Sequence, residues 1–143
     1  MFHTLLDDPS APVEASATAG IGYGILSAVK AGLLRPEDRA IAEAALQAIV
    51  ARIGADGILA DVSDGTPMGD TLDFYKRIPN IAAPYGQAMA SLFLLEARRQ
   101  GIFSLSAHCG SSIVCCIPGG ISATKRRFPQ GPDRERGACC DWA

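Results

Sequence analysis

Cysteine is missing from residues 1–108 of this 143-residue chain, and the single tryptophan, Trp142, also lies beyond them. The cysteines are Cys109, Cys115, Cys116, Cys139 and Cys140. Their odd number, in a sequence without an export signal, argues against a disulfide framework. Four of them form adjacent pairs, whereas zinc ligands usually come as Cys-x2–4-Cys, so we predict no metal site even with His108 nearby.

Positive charge and long apolar runs are also scarce. Asp and Glu (15) outnumber Lys and Arg (13), and the net charge of −2 argues against a nucleic-acid-binding protein, which normally carries a clustered basic face. No uninterrupted run of about 18 apolar residues is present, which argues against a membrane span. Residues 1–8 lack the basic start and the apolar core of a signal peptide, so the sequence predicts a cytoplasmic protein.

The chain has, by contrast, the composition of a folded protein, with 48% hydrophobic and 20% charged residues. Its length suits one domain. Apolar residues at helical spacing predict three helices, over about Glu14–Gly32, Pro36–Ile53 and Tyr85–Gln100. Only three residues separate the first two helices, which predicts an antiparallel αα-hairpin in an all-α fold.

The second and third predicted helices carry the clearest signals. Pro36 at the first helical position and acidic residues in the first turn are typical of a helix start. We expect each helix to bury one apolar face. The expected inward residues are Ile41, Ala45, Leu46, Ile49, Val50 and Ile53 in the second helix, and Met89, Leu92, Phe93 and Leu95 in the third.

Three glycines, Gly20, Gly22 and Gly24, lie in the middle of the first helix. Each destabilises a helix by about 1 kcal/mol relative to alanine. Their presence indicates that another helix or a ligand comes close to this helix, and the sequence leaves both alternatives open.

Residues 56–84 are predicted to form a long irregular loop. Asp56-Gly57 and Asp64-Gly65 are typical of turns, and residues 58–62 are a candidate short strand. A loop of this length between helices is unusual unless it serves a site.

No catalytic residue is predicted. The carboxylates of the long loop are those of Asp61, Asp64, Asp70 and Asp73. A general acid needs a pKa raised by an apolar pocket or a like charge, whereas the Gly, Ser and Thr neighbours here indicate solvated carboxylates. His3 and His108 lie far apart in the sequence and no Gly-x-Ser-x-Gly turn is present, which argues against a hydrolytic triad.

The sequence changes character near residue 100. Alanine gives way to Gly, Ser, Pro and Cys, the helical period stops, and only residues 113–117 form a candidate strand. We therefore predict a helical domain over residues 1–100 and a tail of low structure over residues 101–143. Our hypothesis is that this tail is non-native sequence.

Two further groups of residues carry a family resemblance. Residues 14–19 (EASATA) open the first helix, and residues 73–79 (DFYKRIP) lead through residues 84–87 (PYGQ) into the third. With residues 5–9 (LLDDP) ahead of them, they resemble the C-terminal end of the unsaturated glucuronyl and rhamnogalacturonyl hydrolases, glycoside hydrolase families 88 and 105. The resemblance covers about residues 2–100.

The resemblance implies both a fold and a chemistry. The helices would be αα-hairpins from the C-terminal part of an (α/α)6 toroid. The substrate would be an unsaturated uronyl oligosaccharide, and an aspartate acting as general acid and base would hydrate its C4–C5 double bond. The family requires no metal or organic cofactor, so none is expected here.

The resemblance also assigns candidate substrate-binding residues. Glu14, Ser16 and Thr18 match the start of an inner helix whose N-terminus faces the substrate cleft. Ser63, Thr66 and Tyr75 match a loop that reaches over the substrate. The catalytic aspartates of the family belong to segments that this sequence does not contain, so we expect a fragment that is inactive alone.

An alternative without chemistry stays open. The chain would then be a small helical interaction module that packs against a partner. Toroid helices without their neighbours would expose apolar faces, and we expect self-association through these faces.

Overall fold

The body of the chain consists of three long helices, as the apolar periodicity predicts. The structure, a computed structural model, describes residues 1–102 and the backbone of two strands at residues 104–108 and 112–116. Its helices are α1 (Ala15–Lys30), α2 (Arg39–Arg52), α3 (Leu72–Lys76) and α4 (Pro84–Arg99). Its strands are β1 (Val62–Ser63), β2 (Asn80–Ile81), β3 (Ser104–His108) and β4 (Ser112–Cys116).

The predicted αα-hairpin is formed by α1 and α2. Gly32, just past the end of α1, has φ +72°, a left-handed conformation that glycine adopts without strain. Leu33 N donates to Ala28 O at 2.8 Å, and this bond folds the chain back on the last turn of α1. A 3-10 turn, Pro36–Asp38, then leads directly into α2.

Helix α4 packs along α1, and the two helices run in the same direction. Residues that lie further along α1 contact residues that lie further along α4: Gly20 faces Met89, and Gly22 faces Phe93. At the far end, Gln100 Nε2 donates to Leu26 O at 3.1 Å. The N-termini of α1 and α4 are therefore at the same end of the molecule.

The glycines of α1 permit this close packing. A methyl group on Gly22 would lie 2.4 Å from the Phe93 ring, and one on Gly20 would lie 2.6 Å from the end of Met89. At these two positions the close neighbour is thus a helix and not a ligand. Gly24 differs, because a methyl group there would have no neighbour within 4 Å.

The core lies between α1, α2 and α4. Its largest fully buried side chains are Phe93, Leu26, Leu46, Ile49, Leu59, Val62 and Thr18. The predicted inward face is correct at the centre of α2 and at Phe93. It is wrong for Ile41, Leu92 and Leu95, which are 50%, 49% and 51% exposed. The apolar stripes of α2 and α4 are wider than the surface that the described part of the chain offers them.

The predicted long loop contains more regular structure than the sequence indicated. It includes the one-and-a-half-turn helix α3 and the antiparallel pair β1–β2, in which Val62 lies opposite Ile81 and Ser63 opposite Asn80. The candidate strand at residues 58–62 overlaps β1 only at Val62. The predicted turns are present: Gly57 N donates to Gly54 O at 3.1 Å and Gly65 N to Ser63 O at 2.9 Å, and the two glycines have φ values of +81° and +70°.

Strands β3 and β4 form an antiparallel hairpin, with Ser104 opposite Cys116 and His108 opposite Ser112. Strand β4 agrees with the candidate strand at residues 113–117, whereas β3 was not expected in a tail of low structure. Residues 117–143 lie outside the described residues, as does the hypothesis that the tail is non-native.

Within the described ranges, no helix is long and apolar enough to cross a membrane. The cytoplasmic location stays a prediction.

Candidate functional site

The end of the molecule at which α1 and α4 begin brings most of the predicted site residues together. Glu14 caps α1, β1 passes between the first turns of both helices, and the chain from residue 64 to residue 79 projects from β1 and returns through β2. We call this segment the 64–79 loop. It is closed at its base, because Asp64 N donates to Pro79 O at 2.9 Å.

Glu14 is the most highly bonded of the predicted residues, and it is only 7% exposed. Its carboxylate caps α1 by accepting from Ala17 N, and it accepts from Ser16 Oγ at 2.9 Å. Oε1 also accepts from Ser63 N at 3.0 Å, across 49 positions of sequence. The carboxylate therefore joins the first turn of α1 to the base of the 64–79 loop.

Thr18 lies one turn further along α1 and is fully buried. Its Oγ1 donates to Glu14 O at 2.7 Å and accepts from Phe2 N at 2.9 Å. Both interactions are internal to the protein, and they attach the N-terminal segment to α1.

Ser63 and Tyr85 meet on the other side of β1. The Tyr85 hydroxyl donates to Ser63 O and accepts from Gly65 N, the latter at 3.3 Å. Since Ser63 N is held by Glu14, both backbone groups of Ser63 are bound by side chains from helix N-termini. Gly86 allows this approach, because a methyl group there would lie 2.5 Å from Val62.

The remaining two predicted residues, Thr66 and Tyr75, belong to the 64–79 loop itself. Thr66 is exposed. Tyr75 is half-buried, and its hydroxyl accepts from Gly69 N at 3.1 Å and bonds Gly69 O at 3.3 Å. Tyr75 thus fixes the fold of the loop from within. Substrate binding by the six predicted residues stays a prediction.

An ion pair between Asp8 and Lys76, the last residue of α3, ties the loop to the N-terminal segment. Lys76 Nζ also donates to Ser10 Oγ at 3.2 Å. The Lys76 ammonium, followed by the Ser10 hydroxyl and amide, holds the pKa of Asp8 well below its usual range. Asp8 in turn raises the pKa of Lys76.

Sequence reasoning missed the structural roles of Asp8, Lys76 and Gln87. All three lie within the short segments that carry the family resemblance, which was the available signal. Gln87 bonds both backbone groups of buried Leu59: Oε1 accepts from Leu59 N at 2.9 Å, and Nε2 donates to Leu59 O at 3.0 Å. Distance along the chain concealed these partners.

The carboxylates at this end do not form an acid–base pair. Asp64, Asp70 and Asp73 are exposed, and Asp61 is paired with Arg52. Hydrolysis of a glycoside by two carboxylates needs them on opposite sides of the bond, one of them protonated. This end can instead bind a polar ligand through exposed hydroxyl and amide groups.

Two further features bear on ligands. Across the described residues, no group of three or more His, Cys, Asp and Glu side chains is placed to hold a metal ion. An open apolar groove of about 460 Å³ lies beside α2, lined by Met1, Phe2, Ala40, Ile41, Ala44 and Ala45. Its lining offers little to a sugar.

Comparison with known proteins gives the same relationship from sequence and from structure. The sequence model of Glycosyl Hydrolase Family 88 matches residues 1–100. The chain is 33% identical, over 97 residues, to the unsaturated rhamnogalacturonyl hydrolase YesR of Bacillus subtilis (strain 168). That alignment covers 67% of this chain and 26% of the relative.

Two solved structures are similar at 50% sequence identity and a TM-score of 0.69. Both are described as possible members of the GH105 family, one from Salmonella enterica serovar Paratyphi A and one from Klebsiella pneumoniae. The matches cover 71% of this chain but 27% and 26% of those chains. The predicted fold, αα-hairpins of a toroid, is confirmed, and the chain spans about a quarter of the length of the proteins it matches.

Proposed function

This chain belongs to glycosyl hydrolase family 88, and on that basis we propose that it is part of an enzyme that hydrolyses unsaturated uronyl oligosaccharides. The observation that carries the proposal is the family match over residues 1–100, supported by the identity with an unsaturated rhamnogalacturonyl hydrolase. The reaction proposed is hydration of the C4–C5 double bond of a rhamnogalacturonyl or glucuronyl unit. The hydrated uronyl unit then rearranges and releases the sugar to which it was joined.

The substrate-binding role is assigned to the end of the molecule where α1 and α4 begin. Of the two helix N-termini at this end, that of α4 has no side-chain cap, and its positive dipole end favours the carboxylate of a uronic acid. The 64–79 loop supplies exposed polar groups beside them, among them Thr66. This chain is proposed to bind one side of the sugar, while the catalytic aspartate comes from the part of the fold that the relatives have in addition.

The isolated chain is therefore expected to be inactive. The test is to incubate the purified chain with unsaturated rhamnogalacturonyl and glucuronyl disaccharides and to follow the absorbance of the conjugated double bond. No loss above the buffer rate is expected. Turnover that disappears in Asp61→Asn or Asp64→Asn would contradict the assignment of these carboxylates to structural roles.

A chimera tests the proposed function itself. Residues 1–100 would replace the aligned quarter of the B. subtilis relative. The controls are the unmodified relative and a version lacking that quarter. We expect the chimera to turn over an unsaturated disaccharide and the truncated version to be inactive. A chimera that melts cooperatively but turns over neither disaccharide would refute the proposal and favour an interaction module.

A further inference from the structure

We infer that Glu14 and Tyr85 are positioning residues: together they form a latch that holds the base of the 64–79 loop across the N-termini of α1 and α4. The inference rests on the proposed function and deepens it, since it separates the residues that position the sugar-binding loop from those that touch the sugar. Glu14, predicted from the sequence to bind the sugar, is thereby assigned to the residues that position the loop.

The first step is that burial and three internal donors leave the Glu14 carboxylate little access for a ligand. A carboxylate offers about four acceptor positions on its two oxygens. Ser16 Oγ lies 2.9 Å from each oxygen, Ala17 N donates to Oε2 and Ser63 N donates to Oε1. With 7% of the residue exposed and three of these positions taken, the carboxylate is directed to the protein and not to a sugar.

The second step is that Glu14 and Tyr85 act on the same residue from two different helices. The Glu14 carboxylate accepts a hydrogen bond from Ser63 N, and the Tyr85 hydroxyl donates one to Ser63 O. Tyr85 also accepts from Gly65 N at 3.3 Å, so its hold extends into the loop. The two bonds fix Ser63 relative to both helix N-termini at once.

The third step is that, apart from the latch, backbone bonds fix this part of the loop: Asp64 N donates to Pro79 O and Gly65 N to Ser63 O, both at 2.9 Å. Residues 64–68 are exposed, and they contribute nothing to the buried core. The α3 part of the loop is held separately, by the ion pair between Lys76 and Asp8. A charge-assisted bond such as that of Glu14 is about twice as strong as a neutral one. Loss of the latch is therefore expected to loosen residues 63–66 while the helices stay folded.

Hydrogen–deuterium exchange of the full chain tests the latch without any sugar. Glu14→Gln keeps the shape of the side chain but replaces one acceptor oxygen by an amide donor. We expect the amides of residues 63–65 to exchange about ten- to a hundredfold faster in this variant, because a bond to a charged group is lost. Tyr85→Phe removes only the hydroxyl, and a smaller acceleration is expected at the same amides.

Glu43→Gln is the matched control. It removes the same charge from an acid on α2 whose partner is Arg39, at 2.9 Å. We expect no change in residues 63–65. Unchanged exchange there in Glu14→Gln would overturn the inference, and so would an equal acceleration in α2, which would show a general loss of stability. If Glu14→Gln does not fold, Tyr85→Phe decides: acceleration confined to residues 63–65 supports the latch, and its absence overturns it.

The chimera of residues 1–100 with the B. subtilis relative tests whether the latch affects substrate binding. There, Glu14→Gln and Tyr85→Phe are expected to raise KM for the unsaturated disaccharide about tenfold with kcat nearly unchanged, as for a loss of uniform binding. Glu43→Gln should alter neither constant. Faster exchange with an unchanged KM would overturn the link to substrate. An inactive chimera would count against the proposed function and leave the exchange result standing.

Discussion

Gly22 sets the distance between α1 and α4, and it offers a test at the scale of a single residue. Gly22→Ala would place a methyl group 2.4 Å from the Phe93 ring, which is fully buried and cannot move outward freely. We expect a loss of about 1–3 kcal/mol in the free energy of unfolding, as for other overpacked cores. Urea denaturation followed by circular dichroism measures it.

Gly24→Ala is the matched control on the same helix. A methyl group there meets nothing within 4 Å, and alanine favours the helix over glycine by about 1 kcal/mol. This variant should therefore be as stable as the parent or more stable. A destabilised Gly24→Ala, or an unaffected Gly22→Ala, would contradict the packing described here.

Asp8 provides a prediction on pH at the same scale. Lys76 and Ser10 lower the pKa of Asp8 in the folded chain, whereas in the unfolded chain it is about 3.9. The folded state then binds fewer protons, so the contribution of this ion pair is complete above about pH 5 and is lost as the pH falls further. The melting temperature of the parent chain should fall as the pH is lowered through this range.

Asp8→Asn should remove that part of the acid sensitivity and lower the melting temperature at neutral pH. Asp7→Asn is the neighbouring control, because Asp7 is exposed and makes none of the bonds described for Asp8. If the two variants have the same dependence of melting temperature on pH, the ion pair is not the cause.

At the scale of elements, Gln87 attaches the chain after α2 to the first turns of α4. Gln87→Ala would leave the amide and carbonyl of buried Leu59 without this partner. Because two hydrogen bonds of about 1 kcal/mol each are lost, the free energy of unfolding should fall by about 2 kcal/mol. Gln47→Ala, on the exposed side of α2, is the control and should change stability little. Equal effects in urea denaturation would refute this role.

Comparison of the predicted elements with the observed ones shows which of them a sequence can reveal. Helices α1, α2 and α4 were predicted because their signals are local: Pro36 and acidic residues at a helix start, and apolar residues at helical spacing. Strands β1 and β2 are two residues each, and side chains far along the chain hold them in place. The Glu14–Ser63 bond spans 49 positions and the Gln87–Leu59 bonds span 28, beyond the reach of periodicity.

The candidate site likewise has a part that the sequence reveals and a part that it does not. The family resemblance pointed to Glu14 and Tyr85, because they lie in short recognisable segments, and it assigned Ser63 to the loop over the substrate. Their division into residues that hold the loop and residues that face solvent depends on burial and bonding, which the sequence does not contain. Thr18 illustrates this, since nothing in its motif indicates that its hydroxyl bonds Phe2 and Glu14.

At the scale of the whole molecule, the exposed apolar side chains predict self-association of the isolated chain. Ile41 on α2 and Leu92 and Leu95 on α4 are each about half exposed. Their burial between molecules is favourable by about 25 cal/mol per Å² of apolar surface. Sedimentation velocity should show a mass that increases with concentration.

Ile41→Glu and Leu92→Glu should shift the chain towards monomer. Leu33→Glu is the control, because Leu33 is 79% exposed in the turn after α1 and not on a helix face. A parent chain that sediments as a monomer at all concentrations and melts in one cooperative transition would refute the prediction.

The closed base of the 64–79 loop has a consequence for how this protein can diverge. Asp64 and Pro79 are joined by a 2.9 Å hydrogen bond and continue into paired strands, so the loop is fixed at its ends and, near its second end, through the Asp8–Lys76 ion pair. Lengthening a loop with fixed ends costs little conformational entropy, about 0.6 kcal/mol for each doubling. The part of the loop before Lys76 can thus vary in sequence and length, and its replacement should alter the proposed sugar specificity before it alters folding.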